Sequence, residues 1–209
     1  MQRLIIVGAG GYGREMYLSA RESRGFGEEF EIAGFLDDNP DALGGRTGYP
    51  PVIGSVAQYA ISPDDVFIVA IGDLSVRRRC AATLAARGAR FRTLVHRNAQ
   101  VGATVRLGEG VFVASGAVLT ADVSVGAHTA VFHQAVIGHD VTIGEFAHVY
   151  ALCAIGGGVE IGDGAAIYPG ARIVPRRRIG KGAVVAIGSV VFRSVPAGAR
   201  VAGNPAFLL

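Results

Sequence analysis

From Val95 to Val191 a branched aliphatic residue returns at every sixth position, seventeen times without an insertion. The series runs Val95, Val101, Leu107, Val113 and Leu119, passes through Ile137, Ile143, Val149 and Ile155, and ends at Val185 and Val191. Four residues after each aliphatic stands a small or slim residue, from Ala99 and Val105 to Ser189 and Val195, with Arg177 the one break. Neither the 3.6-residue turn of a helix nor the two-residue alternation of a strand keeps such a period. A solenoid of short strands and tight turns does, and the pattern predicts a hexapeptide β-helix.

A second period, of eighteen, sets the number of sides. The residue after each aliphatic falls into three columns: Gly108, Gly126, Gly144, Gly162 and Gly180; Ala114, Phe132, Tyr150, Tyr168 and Ala186; and a mixed one from Gly102 and Thr120 to Val174 and Phe192. Three hexapeptides therefore make one triangular coil with three unlike corners. The glycine column is expected to supply positive φ, which costs glycine no Cβ clash. The aromatic column reads as packing, the use most such stripes have.

Before the solenoid the pattern changes to strands alternating with helices. Arg3–Val7 reads as a buried strand, followed at once by Gly8-Ala9-Gly10-Gly11-Tyr12-Gly13 and a helix from Tyr12 to about Arg24. A strand, G-x-G-x-x-G, helix order is the context in which such glycines let backbone N–H groups approach a phosphate. Glu31–Leu36 ends in Asp37-Asp38, where an acidic residue can meet a ribose or base, and Asn39–Pro51 reads as loop. Val66–Ile71 is followed by Gly72-Asp73 and a helix from about Ser75 to Arg87, with Val76, Cys80 and Leu84 on one face. Arg77, Arg78 and Arg79 lie in its first turns, where the helix dipole disfavours cations, so an anion near Arg77 is expected. Phe91–Val95 reads as a last strand leading into the first coil. The expectation is a small doubly wound sheet of four parallel strands. No second nucleotide-binding half or catalytic domain follows, which argues against a dehydrogenase.

Composition narrows the class. Half of the 209 residues are hydrophobic, with 31 glycines, no Trp and two cysteines. Cys80 and Cys153 both fall on apolar positions and suit a reducing compartment. No apolar run approaches the length of a membrane span, and a strand by Arg3 leaves no room for a signal peptide, so a cytoplasmic protein with no membrane insertion is expected. The net charge of +3 is unevenly spread. Residues 1–94 balance eleven basic against eleven acidic side chains, whereas residues 172–209 carry seven basic and no acidic ones. That end is a landing site for a polyanion. Without aromatics among the cations, a small phosphate-bearing ligand is expected rather than nucleic acid.

Four of the five histidines, His128, His133, His139 and His148, lie in the solenoid. His139 stands just beyond a corner with Asp140 beside it, and a neighbouring carboxylate fixes the tautomer of a general base. Eighteen residues on, one coil away, is Gly157 within Gly156-Gly157-Gly158. Coils stack at strand spacing, about 4.8 Å, so a bare backbone amide should lie beside the imidazole. One group takes a nucleophile's proton and the other holds an oxyanion, which is what acyl transfer requires. Some hexapeptide solenoids, of the γ-class carbonic anhydrase type, bind zinc through three histidines. Here the histidines share no column, and no metal is expected.

Taken together, Gly8–Gly13, Phe35-Leu36-Asp37-Asp38, Ile71-Gly72-Asp73 with Arg77, Gly138-His139-Asp140, Ile143-Gly144-Glu145-Phe146-Ala147-His148 and Gly203-Asn204-Pro205-Ala206 resemble the PglD/NeuD-type sugar acetyltransferases over essentially the whole chain. The resemblance implies a Rossmann-like nucleotide-sugar-binding domain over residues 1–94. It implies a left-handed parallel β-helix with a C-terminal cap over residues 95–209, binding acetyl-CoA, and a homotrimer with active sites between subunits. Carried over by position, His139 is the general base, Asp140 its partner, and the Gly157 amide faces the thioester carbonyl. Gly8, Gly10, Gly11, Gly13, Asp37 or Asp38, Asp73 and Arg77 hold the nucleotide, and Phe132 and His133 line the sugar pocket. His148, Ala186, Gly188, Arg176 and Arg178 receive the CoA.

The implied activity is N-acetylation of a nucleotide-linked amino sugar in surface-polysaccharide synthesis. O-acetylation of a sialic-acid-type sugar is the alternative within the class, and a non-catalytic trimeric scaffold or sensing module the alternative outside it. Two departures stand out. Phe132 occupies a position where amino-sugar N-acetyltransferases of this family often carry Asn. Arg177 occupies a slim interior position, where a buried guanidinium is costly, and a local bulge is expected to turn it outward.

Overall fold

Leu4–Val7 form a run of four apolar residues, all fully buried, and such runs belong to parallel strands covered on both faces. In the computed structural model, which describes residues 1–209, this strand, Gln2–Val7 (β1), is the centre of a five-stranded sheet. The other elements are Gly11–Arg21 (α1), Phe30–Leu36 (β2), Val52–Gly54 (β3), Asp65–Val69 (β4), Leu74–Ala85 (α2) and Arg90–Phe91 (β5). The order is β3-β2-β1-β4-β5 with every pair parallel. They form one compact unit, Met1–Leu94; Val95–Leu209 form a second.

Three expectations for the first unit need correction. The sheet has five strands, because Val52–Gly54, which follows the expected loop and falls in no expected element, pairs with Phe35 and Leu36. Three half-buried residues after two prolines are too short to show a period. Phe91–Val95 is not one strand: Arg90–Phe91 pairs with β4, whereas Leu94–Val95 opens the solenoid. Helix α1 stops at Arg21 rather than near Arg24, because Glu22 and Ser23 donate to Ser19 and Ala20 in tightened turns and Gly25 follows at φ +82°.

The second unit is a parallel β-helix. Two-residue strands stack in three columns of six, five and six, with partners eighteen residues apart, as in Val118 with Val136 and Ser124 with Thr142, and a terminal hairpin adds two longer strands to the last column. The aliphatic and slim series fill the interior as one cluster. The glycine column has a different cause from the one expected. Gly108, Gly126, Gly144, Gly162 and Gly180 are absent from the positive-φ residues; a Cβ on any of them would lie 2.3–2.7 Å from an atom of the next coil. Close stacking, not the turn, demands them.

The left-handed residues stand two places later, and six consecutive ones are not glycine: Asp122, His128, Gln134, Asp140, Phe146 and Leu152, at φ 55–62°. Arg177 forms no bulge, since Glu160–Arg178 and Ile161–Ile179 keep their register. Instead the coil above is trimmed. Ile173 pairs with Val191 eighteen residues on, but Ile179 bridges Val195 and Val185 pairs with Val201, only sixteen on. The missing residues fall over Arg177, which stays half-buried with Nε enclosed and unbonded. An antiparallel hairpin, Arg200–Gly203 with Ala206–Leu208, ends the array.

Candidate active site

The first unit opens a cavity of about 360 Å³ at the ends of β1 and β4. Gly8, Gly10 and Gly11 line one side, Asp37 and Asp38 another, and Ile71, Gly72, Val76 and Cys80 a third. Gly8 has φ +100°, and a Cβ there would meet the Ala70 carbonyl oxygen at 2.9 Å. The two aspartates divide their work. Asp37 Oδ2 accepts from the Ala9 N–H at 2.8 Å and Oδ1 from Asn39 N at 2.9 Å, so this carboxylate ties the glycine loop to the end of β2. Asp38 is exposed on the cavity wall, open to a ligand.

Three expected members do not line the cavity. A Cβ on Gly13 would lie 1.9 Å from the Gly8 carbonyl oxygen, so this glycine packs helix α1 onto its loop. Asp73 caps α2, accepting from Val76 N at 2.9 Å and Ser75 Oγ at 2.6 Å, and these bonds hold its carboxyl below the usual range. Arg77 is 2% exposed and donates from Nη1 to the Ile71 carbonyl at 3.3 Å. Val76 and Cys80, read as a buried helix face, are the residues that α2 presents to the cavity, and their i, i+4 spacing was the available signal.

In the solenoid, His139 and Asp140 share an exposed corner, with Nδ1 2.7 Å from Asp140 Oδ2. Asp140 is left-handed at φ 58°, a conformation Asp tolerates better than most residues. A carboxylate at Nδ1 draws the proton there and leaves Nε2 basic. Directly above lies Gly157, where a Cβ would fall 2.6 Å from His139 Nε2 and 2.7 Å from Cε1. The imidazole thus occupies the space a side chain would need. The Gly157 N–H makes no hydrogen bond within the chain, while its neighbour Gly158 donates to the His139 carbonyl at 2.8 Å and ties the coils together.

His148 is elsewhere on the coil, 4% exposed, with Nδ1 3.1 Å from the Tyr150 hydroxyl. Phe132 is 7% exposed and packed between Phe112 and Tyr150, whereas His133 next to it is exposed. Ala186 is half-buried, and Gly188 and Arg176 are exposed, both left-handed. Arg178 pairs with Glu160 at 3.0 Å, a partner one coil below that the linear charge count did not show. No cluster of three His, Cys, Asp or Glu side chains suited to a metal ion is present. No helix is long and apolar enough to cross a membrane.

Both units are similar to known proteins. Residues 3–84 match the PglD N-terminal domain family and residues 140–175 the six-repeat bacterial transferase hexapeptide family. A UDP-N-acetylbacillosamine N-acetyltransferase of Bacillus subtilis is 33% identical over 117 residues, a segment that covers 54% of this chain and 51% of that relative. The chain therefore matches about half the length of this curated relative. Among solved structures, a variant of perosamine N-acetyltransferase from Caulobacter crescentus, in complex with CoA and GDP-perosamine, superposes with a TM-score of 0.90 at 29% identity, covering 100% of this chain and 97% of that one. The acetyltransferase domain of PglB from Neisseria gonorrhoeae, in complex with acetyl coenzyme A, is 31% identical with a TM-score of 0.65, covering 100% and 99%. With similarity running the full length of both units, the chain belongs to the PglD-type sugar acetyltransferases, a family of hexapeptide-repeat acyltransferases.

Proposed function

We propose that the protein is an acetyl-CoA-dependent N-acetyltransferase acting on a nucleotide-linked amino sugar in glycan biosynthesis. The observation that carries this reading is the His139 ring lying over Gly157 with Asp140 at its other nitrogen. In this reading Nε2 of His139 takes a proton from the sugar nitrogen as that nitrogen attacks the thioester carbonyl. The Gly157 N–H donates to the tetrahedral oxyanion, whose charge it meets without reorganisation. Collapse breaks the carbon–sulfur bond, and the proton passes from the imidazolium to the leaving thiolate, giving the amide and CoA. Asp140 steadies the imidazolium in between.

The first unit acts as a Rossmann-like nucleotide-sugar-binding domain. The glycine loop and the N-terminus of α1 receive the diphosphate, and Asp38 reads the ribose or base. The second unit is a left-handed β-helix that takes the acyl donor, with His148 at the CoA end and Arg176, Ala186 and Gly188 along the arm. The working form is a cytoplasmic homotrimer with active sites between subunits. Titration calorimetry with acetyl-CoA and then UDP, dTDP, GDP and CMP tests this directly. Acetyl-CoA and one nucleotide are expected to bind. Acetyl-CoA without any nucleotide would point to an acceptor with no nucleotide carrier, and binding of neither would replace the enzyme with a scaffold.

A further inference from the structure

His148 stands in a column whose neighbours one coil away, Ala130 and Ala166, carry only methyl groups. That leaves room for one imidazole, and the ring fills it, 4% exposed, with Phe132 edge-on at 5.5 Å and 85°. Two residues on, just past the end of the strand, is Tyr150, whose hydroxyl lies 3.1 Å from His148 Nδ1. The Tyr150 ring cannot swing away freely. It is stacked between Phe132 and Tyr168, with centroids 5.0 Å apart on each side and interplanar angles of 13° and 19°. Tyr168 belongs to the same column but has Ala166 two residues before it, so the histidine–tyrosine pair occurs once in the array.

We propose that Tyr150 is a positioning residue that locks His148 as the Nε2–H tautomer, a hydrogen-bond donor set in advance for the acyl donor. A phenol O–H is a stronger donor than a neutral imidazole N–H, and an imidazole nitrogen is a stronger acceptor than a phenol oxygen. The hydroxyl therefore donates to Nδ1, and the ring proton resides on Nε2. The aromatic stack aims the hydroxyl, the hydroxyl fixes the imidazole, and the imidazole presents a donor rather than an acceptor. The place of this donor at the CoA end rests on the acetyltransferase reading; the tautomer does not.

Tyr150→Phe keeps the stacked ring and removes one oxygen. In protein carrying ¹⁵N-histidine, with His148 assigned through His148→Phe, the wild type is expected to show Nδ1 unprotonated and Nε2 protonated. In Tyr150→Phe the His148 resonances should move toward values averaged over both tautomers. The KM for acetyl-CoA should rise about three- to tenfold, the effect of one lost hydrogen bond, with kcat nearly unchanged and the melting temperature lowered because a buried ring nitrogen loses its partner. An Nδ1-protonated His148 in the wild type overturns the proposal, as do His148 resonances that do not respond to loss of the hydroxyl. A tautomer change with no change in KM removes the donor's role toward the acyl group. If Tyr150→Phe does not fold, the wild-type spectrum alone decides the tautomer. If wild-type protein binds no acetyl-CoA, the acetyltransferase reading fails and the donor role with it, while the spectra still decide the lock.

Discussion

At Gly157 a single missing carbon separates two chemistries. Alanine there would place its Cβ 2.6 Å from His139 Nε2. The ring is exposed and able to tilt away, so Gly157→Ala should change stability little. A catalytic base displaced by about 1 Å loses on the order of a hundredfold in rate, which steady-state kinetics would register as a fall in kcat with the fold intact. The paired aspartates make a second contrast. Asp38→Ala should weaken nucleotide binding about tenfold, the worth of a hydrogen bond to a charged group, without lowering the melting temperature. Asp37→Ala should lower both, because Asp37 also holds Ala9 and Asn39. Calorimetry and thermal melts on the two variants separate these outcomes.

The cysteines differ in the same way. Burial pushes the Cys153 thiol up to about 11 and keeps it inert, whereas Cys80 is half-buried in the cavity wall. Alkylation of native protein should reach Cys80 first, and bound nucleotide diphosphate should slow it. At this scale the sequence made His139, Asp140 and Gly157 legible, because an eighteen-residue repeat turns spacing into contact. It did not reveal Tyr150 as a partner of His148, nor Arg77 as a buried donor to Ile71, because side-chain direction is absent from spacing.

At the scale of the coil, glycine serves two purposes that look alike in the sequence. Gly126 must lack a Cβ because the next coil's Glu145 N lies 2.6 Å from where it would be; Gly182 must adopt φ +63° in open space. Gly126→Ala should therefore cost about 3 kcal/mol, at the upper end of overpacking. Gly182→Ala should cost about 1–2 kcal/mol, the strain of a left-handed L-residue. Chemical denaturation of both variants gives the order, and the reverse order would place the constraint in the turn after all. The hexapeptide period revealed the coil and its three sides, but the left-handed positions escaped notice because six in a row are not glycine. Such strain gathers where function over-determines the backbone, and this stretch, residues 122–152, brackets both His139 and His148. The short edge strand Val52–Gly54 and the trimmed last coil were equally hidden, each too brief to leave a period.

For the molecule as a whole, charge is the property most visible along the chain and most altered by folding. Of the seven cations in residues 172–209, Arg178 pairs with Glu160 and Lys181 approaches Asp163 at 3.9 Å. Arg172, Arg176, Arg193 and Arg200 remain exposed without an acidic partner. Acetyl-CoA affinity should accordingly fall as salt rises through the range where surface charges are screened. Arg176→Ala should weaken binding more than Arg178→Ala, whose guanidinium already has an acid.

The central claim is that His139 carries the proton in an acetyl transfer between two bound substrates. The measurement that reaches it most directly is CoA thiol release from acetyl-CoA with a nucleotide-linked amino sugar, wild type against His139→Ala, with acetyl-CoA affinity measured on both. Removal of a general base is expected to lower kcat about 10²- to 10⁴-fold while acetyl-CoA binds as before. A His139→Ala protein that turns over at the wild-type rate would contradict the account and move the chemistry away from this corner.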